Sequence, residues 1–281
     1  MIWRTSRRVF DLRERGVIMG ILNVTPDSFS DGGKFIGANA AVTQALRMIE
    51  EGAEIIDVGG ESTRPGAAEV AADEEMSRVV PVIEKLRARS DIAISVDTSK
   101  AGVARAALAA GAEIINDVTA LTGDPSMAAV ASESQAGVVL MHMQGTPRIM
   151  QKDPHYGDVV REVKDYLASR LAAAREAGLG EERIAIDPGI GFGKTPEHNW
   201  ALIRELGVFA HSGRPVLLGV SRKSLLKEIA GDDMARRDAA TAALTALGRS
   251  KGARIFRVHE IAANLTALRA AEQVDRTAPA R

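Results

Sequence analysis

The 281-residue sequence is 46% hydrophobic and 26% charged, carries a formal net charge of -1 and contains no cysteine. This is the composition of an ordinary globular protein. The lack of cysteine excludes disulfides, thiol nucleophiles and cysteine-ligated metals, and the balanced charge gives no basic face for nucleic acid. No apolar run is long enough to span a bilayer, and the charged segment Met1–Arg8 lacks the apolar core of a signal peptide. We therefore expect a cytoplasmic protein.

Short apolar runs alternate with helical segments along most of the chain. The stretch Ile2–Leu12 alternates weakly, which indicates a hairpin. Strands are then predicted at Val17–Asn23, Ile55–Val58, Ile92–Val96, Glu113–Ile115, Gly137–Met141, Ile184–Ile186, Pro215–Gly219 and Arg254–Val258. Helices are predicted at Ala38–Glu51, Glu74–Arg89, Ala101–Ala110, Pro125–Gln135, Tyr156–Ala177, Pro196–Leu206, Ala235–Lys251 and Ile261–Gln273.

Strands that alternate with helices indicate a parallel sheet, and eight such units in about 250 residues are typical of a (β/α)8 TIM barrel. We expect a single α/β domain over residues 1–281, with the hairpin in 1–16, the barrel over 17–274 and a frayed tail over 275–281. The alternative is a doubly wound open sheet, which is expected to carry a glycine-rich phosphate turn after its first strand. The turn after Asn23 has no GxGxxG pattern, which favours the barrel.

Polar residues follow nearly every predicted strand. They are Asn23, Asp97, Asn116, His142, Asp187, Ser221, Lys223 and His259, while the second barrel strand supplies Thr63 and Arg64 from the loop after it. Residues just past the carboxyl ends of barrel strands form the active face of this fold. We therefore expect these side chains to converge on one ligand.

Basic residues in this set indicate an anion site. Arg64 lies in a glycine-flanked loop and can grip a phosphate or carboxylate, or it can be a solvated turn residue. Arg257 and His259 share one face of the last strand, because side chains two apart point the same way. Opposite Arg64 they would form a diphosphate pocket. The alternative is that Arg257 pairs with a neighbouring carboxylate and His259 caps a helix.

Lys223 lies in Ser221–Ser224, which follows a strand and opens a helical segment where free N–H groups favour anions. It can be a Schiff-base nucleophile, a point charge, a donor to a heterocycle or a surface lysine. Asp97 and Asp187 suit either general acid–base catalysis or recognition of an amidine-like edge. Asn116 offers both a donor and an acceptor to such a heterocycle.

The histidines show no metal-ligand spacing, so a three-histidine zinc site is not expected. Magnesium keeps most of its waters and needs few protein ligands, so Asn23 together with ligand phosphates would suit it.

Eight stretches, in order, resemble the dihydropteroate synthase family of pterin-binding barrels. They are Gly20–Gly33, Asp57–Gly66, Ser95–Lys100, Ile115–Asp117, Leu140–Gly145, Asp187–Lys194, Ser221–Ser224 and Arg257–His259. The resemblance implies an enzyme that joins 6-hydroxymethyl-7,8-dihydropterin diphosphate to para-aminobenzoate and releases pyrophosphate in folate synthesis. It also implies magnesium, inhibition by sulfonamides and a homodimer.

The resemblance assigns roles residue by residue. The family's pterin-binding positions correspond to Asp97, Asn116, Met141, Asp187, Gly219 and Lys223. Its diphosphate contacts correspond to Asn23, Thr63, Arg64, Arg257 and His259, with Asn23 as the magnesium ligand. The para-aminobenzoate subsite corresponds to Thr63, Pro65, Phe192, Ser221 and Lys223. Glu260 departs from the family, which usually has aspartate there, but it lies outside these contacts.

The implied chemistry assigns catalysis to Asp97, Asp187, Lys223, Arg257 and His259. Magnesium and the basic residues would neutralise the leaving diphosphate, and the two aspartates would stabilise the cationic pterin methylene. The loops after the first two barrel strands would exclude water. The alternatives are a pterin-dependent methyltransferase, an aldolase with a Lys223 Schiff base, and a catalytically silent pterin-binding paralogue.

Overall fold

A computed structural model describes residues 1–25, 34–64 and 66–277. Its first two strands, β1 (Ile2–Arg4) and β2 (Val9–Asp11), form an antiparallel hairpin in which Trp3 lies opposite Phe10. The hairpin expected from the weak alternation at the start of the chain is therefore confirmed.

Eight parallel strands follow and close into a barrel. They are β3 (Val17–Asn23), β4 (Ile55–Gly59), β5 (Ala93–Asp97), β6 (Ile114–Asp117), β7 (Gly137–Met141), β8 (Ile184–Asp187), β9 (Val216–Leu218) and β10 (Ala253–Val258). Each strand pairs with the next along the chain, and β10 pairs with β3. The (β/α)8 prediction is thus confirmed, and the open-sheet alternative is wrong.

Helices connect the strands and pack around the barrel. They are α1 (Lys34–Glu50), α2 (Ala72–Arg87), α3 (Ala101–Ala109), α4 (Met127–Ser134), α5 (Val159–Glu176), α6 (Pro196–Arg204), α7 (Leu206–Ala210), α8 (Lys227–Ala230), α9 (Met234–Ser250) and α10 (Ala262–Thr277). Within the described ranges, none of them is both long and apolar enough to cross a membrane.

The structure differs from the predicted bounds at the C-terminus. Helix α10 continues through Thr277, so residues 275–277, expected in the frayed tail, are helical. The Arg249 guanidinium of α9 donates to Asp275 at 2.8 Å and holds this end of the helix. Residues 278–281 of the predicted tail lie outside the described part of the chain.

An apolar layer fills the amino-terminal half of the barrel interior. Every barrel strand contributes to this buried cluster, which contains Trp3, Phe10, Leu12, Val17, Met19, Ile55, Ala93, Ile114, Val139, Ala185, Leu217 and Ile255. Trp3 is fully buried, and its Nε1 donates to the carbonyl of Arg183, just before β8. The hairpin therefore closes the barrel at the end where the strands begin.

The next inward layer is mostly polar. Side chains alternate along a strand, so the residue two positions beyond each apolar one also points inward. This rule places eight residues above the apolar layer: Ile21, Asp57, Ser95, Asn116, Met141, Asp187, Gly219 and Arg257. The barrel thus carries a polar site on an apolar floor, at its carboxyl end.

Candidate active site

Arg257 lies at the centre of a charge network that joins β10 to β4 and β5 across the barrel. Its Nε donates to Oδ2 of Asp57 and its Nη2 to Oδ2 of Asp97, each at 2.6 Å. Asn116 donates from Nδ2 to the same Asp57 oxygen at 3.1 Å. Burial lowers the pKa of Arg257, but the two carboxylates outweigh that effect and raise it overall. The pairing of Arg257 with carboxylates is the alternative that the sequence left open.

Two carboxyl groups of the site are desolvated. Burial raises the pKa of Asp97 to about 7, against the opposing effect of Arg257. Burial also raises the pKa of Asp187, whose Oδ1 accepts from the backbone N–H of Gly189 at 2.7 Å. A ligand that brings hydrogen-bond donors or positive charge to these groups would favour their ionised forms.

Lys223 faces the Asp187 side of the same site. Its Nζ donates to the carbonyl of Ile190 and lies 4.5 Å from the centroid of the Phe192 ring. Burial lowers the pKa of Lys223 to about 8, and the Asp187 carboxylate opposes that shift. Lys223 is therefore mostly cationic at neutral pH, which suits a donor better than a Schiff-base nucleophile.

Gly219 lies between Asp187 and Arg257. A Cβ placed on Gly219 would be 3.8 Å from Oδ2 of Asp187 and 3.9 Å from Cβ of Arg257. The absence of a side chain keeps the space between these two groups open. The structure thus brings residues from β5, β6, β8, β9 and β10 to one mouth, as the strand-tip pattern predicts.

The loop after β8 is fixed by a buried lysine. Lys194 is 2% exposed, and its Nζ donates to Nδ1 of His142 at 2.9 Å and to the carbonyl of Phe192 at 2.9 Å. Burial and the neighbouring Lys194 lower the pKa of His142 to about 3, so the imidazole is neutral and accepts. His142 therefore holds the loop that carries Ile190 and Phe192.

His259 is joined to Ser221 across the last two strands. The backbone N–H of His259 donates to the Ser221 hydroxyl at 3.2 Å, and that hydroxyl lies 2.9 Å from Nδ1. Burial, helped by three nearby arginines, lowers the pKa of His259 to about 3. The imidazole is neutral here, so it adds no second positive charge beside Arg257.

His259 does not cap the helix that follows it, although the sequence offered that role as an alternative. That role belongs to Glu260, whose carboxylate accepts from the backbone N–H of Ala263 at 3.0 Å. Arg64 lies near enough for its positive charge to be one of the causes that lower the pKa of His259. The loop after β4 therefore reaches the His259 side of the mouth.

The sequence matches the model of the pterin binding enzyme family over residues 19–259. It is 46% identical to the dihydropteroate synthase of Escherichia coli (strain K12) over 255 residues, which is 91% of this chain and 90% of the relative. The chain belongs to the dihydropteroate synthase family. The resemblance seen in the eight motifs is thereby confirmed.

Solved structures of family members superpose on the whole chain. The dihydropteroate synthase of Xanthomonas albilineans with 4-aminobenzoic acid is 45% identical, with a TM-score of 0.91 and 99% of each chain covered. The same enzyme in complex with 7,8-dihydropteroate is 42% identical, with a TM-score of 0.88, covering 99% of this chain and 100% of that one.

Asn23, which the motif resemblance assigns to magnesium as an expectation, is the last residue of β3. A Cβ placed on Gly59 would lie 3.9 Å from Oδ1 of Asn23 and 3.8 Å from Oδ2 of Asp97. In residues 1–25, 34–64 and 66–277, no group of three His, Asp or Glu side chains could hold a metal. One amide oxygen fits an ion held mainly by water and a diphosphate, as magnesium can be.

The remaining assigned residues lie on the rim or outside the description. Thr63 is half-buried and Arg64 is exposed, both in the loop after β4, and Met141 is buried at the end of β7. Phe192 and Lys223 lie together, as described above. Pro65 and residues 26–33 of the loop after β3 lie outside the described residues.

Asp57 is a site residue that was not found by looking for polar residues just after the predicted strands. It is fully buried and holds both Arg257 and Asn116. It sits inside the run Ile-Ile-Asp-Val-Gly rather than after it. The two-residue period from Ile55 would have found it, because that period points Asp57 inward.

Proposed function

We propose that this chain catalyses the dihydropteroate synthase reaction. The amine of para-aminobenzoate forms a C–N bond to the pterin methylene and the C–O bond to the diphosphate breaks. The nitrogen then loses one proton to solvent, and 7,8-dihydropteroate and pyrophosphate result. The observation that carries the proposal is the convergence of Asp97, Asn116, Asp187 and Lys223 around one slot beside Arg257. The related structure with bound 7,8-dihydropteroate supports it.

The pterin ring binds in the slot that Gly219 keeps open. Asn116 donates one Nδ2 hydrogen to Asp57, and its Oδ1 accepts from the pterin. Asp187 accepts further ring N–H groups, and Lys223 donates to a ring acceptor. Each charge-assisted hydrogen bond of this kind contributes about 1.5–3 kcal/mol. Met141 lines the same slot.

The reaction is a displacement in which charge moves from the pterin methylene to the leaving group. As the C–O bond breaks, positive charge spreads from the methylene into the ring, and the carboxylates of Asp97 and Asp187 stabilise it. Arg257 has committed Nε and Nη2 to carboxylates, which leaves Nη1 to the diphosphate. Thr63, Arg64 and His259 contact the diphosphate from the rim.

Magnesium held by Asn23 and the diphosphate would neutralise the negative charge that grows on the leaving oxygen. Para-aminobenzoate lies between this centre and the rim formed by Phe192, Ser221, Lys223 and Thr63, with Pro65 as a further family position. Its amine attacks directly, so no covalent enzyme intermediate forms. A homodimer, sulfonamide inhibition and a cytoplasmic location are further proposals, supported by the family resemblance.

The test is pyrophosphate release with both substrates, compared with each alone and with and without added magnesium. We expect release only with both substrates and magnesium. Lys223→Ala and Asp187→Ala should each lower kcat/KM by at least about 100-fold while circular dichroism stays unchanged. Lys164→Ala and Asp165→Ala, at exposed positions of α5, are the matched controls and should leave the rate unchanged. Near-wild-type rates in either site variant would refute the proposal.

A further inference from the structure

A cluster of three charged residues lies at the base of the loop that carries Thr63 and Arg64. Lys100, just after β5, forms ion pairs with Glu61 at the start of this loop and with Glu75 in the first turn of α2. The Nζ–Oε2 distance to Glu75 is 2.6 Å. We call these three residues the Lys100 cluster. None of them has a role in the reaction described above.

Glu61 joins the two ends of the loop. Its Oε1 accepts from the backbone N–H of Val70 at 3.1 Å, while its Oε2 pairs with Lys100. One step earlier, the carbonyl of Gly60 accepts from Arg78 of α2 at 2.6 Å, so the chain entering the loop is also fixed. One carboxylate therefore joins the chain just before Thr63 and Arg64 to Val70 on the far side of the loop.

The Lys100 cluster is largely buried, so its charges are strongly coupled. The Glu75 side chain is fully buried, those of Lys100 and Glu61 are 18% and 20% exposed, and Oε1 of Glu75 has no hydrogen-bond partner in the described part of the chain. Burial lowers the pKa of Lys100, yet the two carboxylates outweigh it and raise the pKa overall. Without the ammonium, two carboxylates would face each other in a low-dielectric setting, and the loop base would separate.

We propose that Lys100 is a positioning residue for the reaction. Through Glu61 it fixes the base of the loop and so places Thr63 and Arg64 over the arylamine and diphosphate subsites. Lys100 follows Asp97 by three residues, but its ion pairs go to Glu61 and Glu75. They do not go to the slot residues Asp97, Asn116, Asp187 and Lys223. The inference rests on the proposed function for what the loop contacts.

Glu61→Gln is the sharpest variant. It keeps the size of the side chain and an acceptor for Val70 but removes the charge that Lys100 holds. We expect the KM for para-aminobenzoate to rise about tenfold, because small displacements of positioning groups are costly, while the Kd for bare 6-hydroxymethylpterin by calorimetry changes less than about twofold. Lys100→Met should raise the KM for para-aminobenzoate further than Glu61→Gln does. The Lys100→Met/Glu61→Gln double variant should have a lower KM than Lys100→Met alone, since one of the two facing carboxylates is gone.

The control is Glu133→Gln, which removes a charge from the exposed Arg105–Glu133 pair, 3.6 Å apart, and should change neither constant. Amide hydrogen exchange of residues 62–64 and 66–70 is a second readout and is independent of activity. We expect faster exchange there in Glu61→Gln than in the wild type.

Unchanged KM and unchanged exchange in Glu61→Gln would overturn the inference. So would an equal loss of pterin and arylamine binding, because that would indicate a general scaffold role. If Lys100→Met fails to fold, Glu61→Gln decides alone. If the wild type releases no pyrophosphate, the proposed function fails, while the exchange measurement still tests the anchoring of the loop.

Discussion

At the scale of single residues, the site depends on a balance of buried charges. Arg257 brings one positive charge, and Asp57 and Asp97 bring two carboxyl groups within 2.6 Å of it. Burying charges is expensive unless each one is paired, and this set has more acid than base. Protonation of Asp97 offsets this excess of negative charge, because burial raises the pKa of Asp97 to about 7. Its ionisation therefore falls in the physiological range.

This balance predicts a narrow pH profile. Below about 7 the Asp97 carboxyl takes up a proton and loses the charge that stabilises the cationic methylene. Above about 8 the Lys223 ammonium loses its proton and no longer donates as a cation. We expect kcat/KM for the pterin diphosphate to be bell-shaped with its maximum between these values, measured by pyrophosphate release.

Asp97→Asn is the control for this profile. It should lower the rate and abolish the acid limb, because the carboxyl group whose pKa lies near 7 is removed, while the alkaline limb remains. An acid limb that persists in Asp97→Asn would assign that ionisation to the substrate or to another group.

Single residues were predictable where a polar residue ends an apolar run. Asp97, Asn116 and Asp187 have that position, and the structure places them together. The partners of Arg257 were not decided by the sequence, because two acids at different points of the chain compete for one guanidinium. The neutral state of His259 was equally hidden, since its cause is burial and nearby arginines rather than its neighbours in sequence.

At the scale of elements, the loop from Gly189 to Lys194 shows how backbone conformation places functional groups. Gly189 has φ +70°, and a Cβ there would lie 1.8 Å from the carbonyl oxygen of His142. Only glycine lets the β8 loop pack this closely against the end of β7. That packing presents the Ile190 carbonyl and the Phe192 ring to Lys223.

Gly189→Ala should therefore damage both stability and activity. The positive φ alone costs about 1–3 kcal/mol for a residue with a side chain, and the collision with His142 adds to it. We expect a larger loss of unfolding free energy in urea than for Gly213→Ala, and at least a tenfold loss of kcat/KM, about 1.4 kcal/mol. Gly213 is the matched control, because its φ is +74° but a Cβ there meets nothing within 4 Å. Equal losses in the two variants would contradict this account.

The eight barrel strands were predictable because each is a short apolar run with turn residues on either side. Helix α7 was missed and α8 was expected only as a helical segment without bounds after Ser221–Ser224, since segments of five and four residues are too short to show helical periodicity. The hydrogen bond between Lys194 and His142 could not be predicted from the sequence either. The two residues are 52 positions apart, and a lysine is rarely found fully buried.

At the scale of the whole molecule, the hairpin acts as the floor of the barrel. Trp3 is fully buried among inward residues of the barrel strands and donates to the Arg183 carbonyl at 2.9 Å. The sequence predicted the hairpin itself. The packing of the hairpin against the barrel joins residues far apart along the chain. The local alternation of apolar and polar residues therefore does not predict it.

Trp3→Ala should destabilise the protein by about 3–5 kcal/mol, as expected for removing a large buried aromatic side chain. Thermal and urea unfolding would measure this loss. Because the hairpin lies at the end opposite the site, the folded variant should keep its affinity for bare 6-hydroxymethylpterin. Val9→Ala on the same hairpin is the control: Val9 is 51% exposed, so the change should stay within about 0.5 kcal/mol. Loss of pterin affinity in folded Trp3→Ala would contradict the view that the hairpin supports the barrel without affecting the site.

The closed floor also determines where substrates enter the barrel and where products leave it. Among the residues that the structure describes, the interior is filled from Trp3 up to the residues beneath Asp57 and Asp187, which leaves no exit at the hairpin end. Both reactants must arrive through the same opening by which pyrophosphate and the condensed product depart. Whatever covers that opening during bond formation has to uncover it in every cycle, so exchange of product for substrate depends on the rim rather than on the barrel.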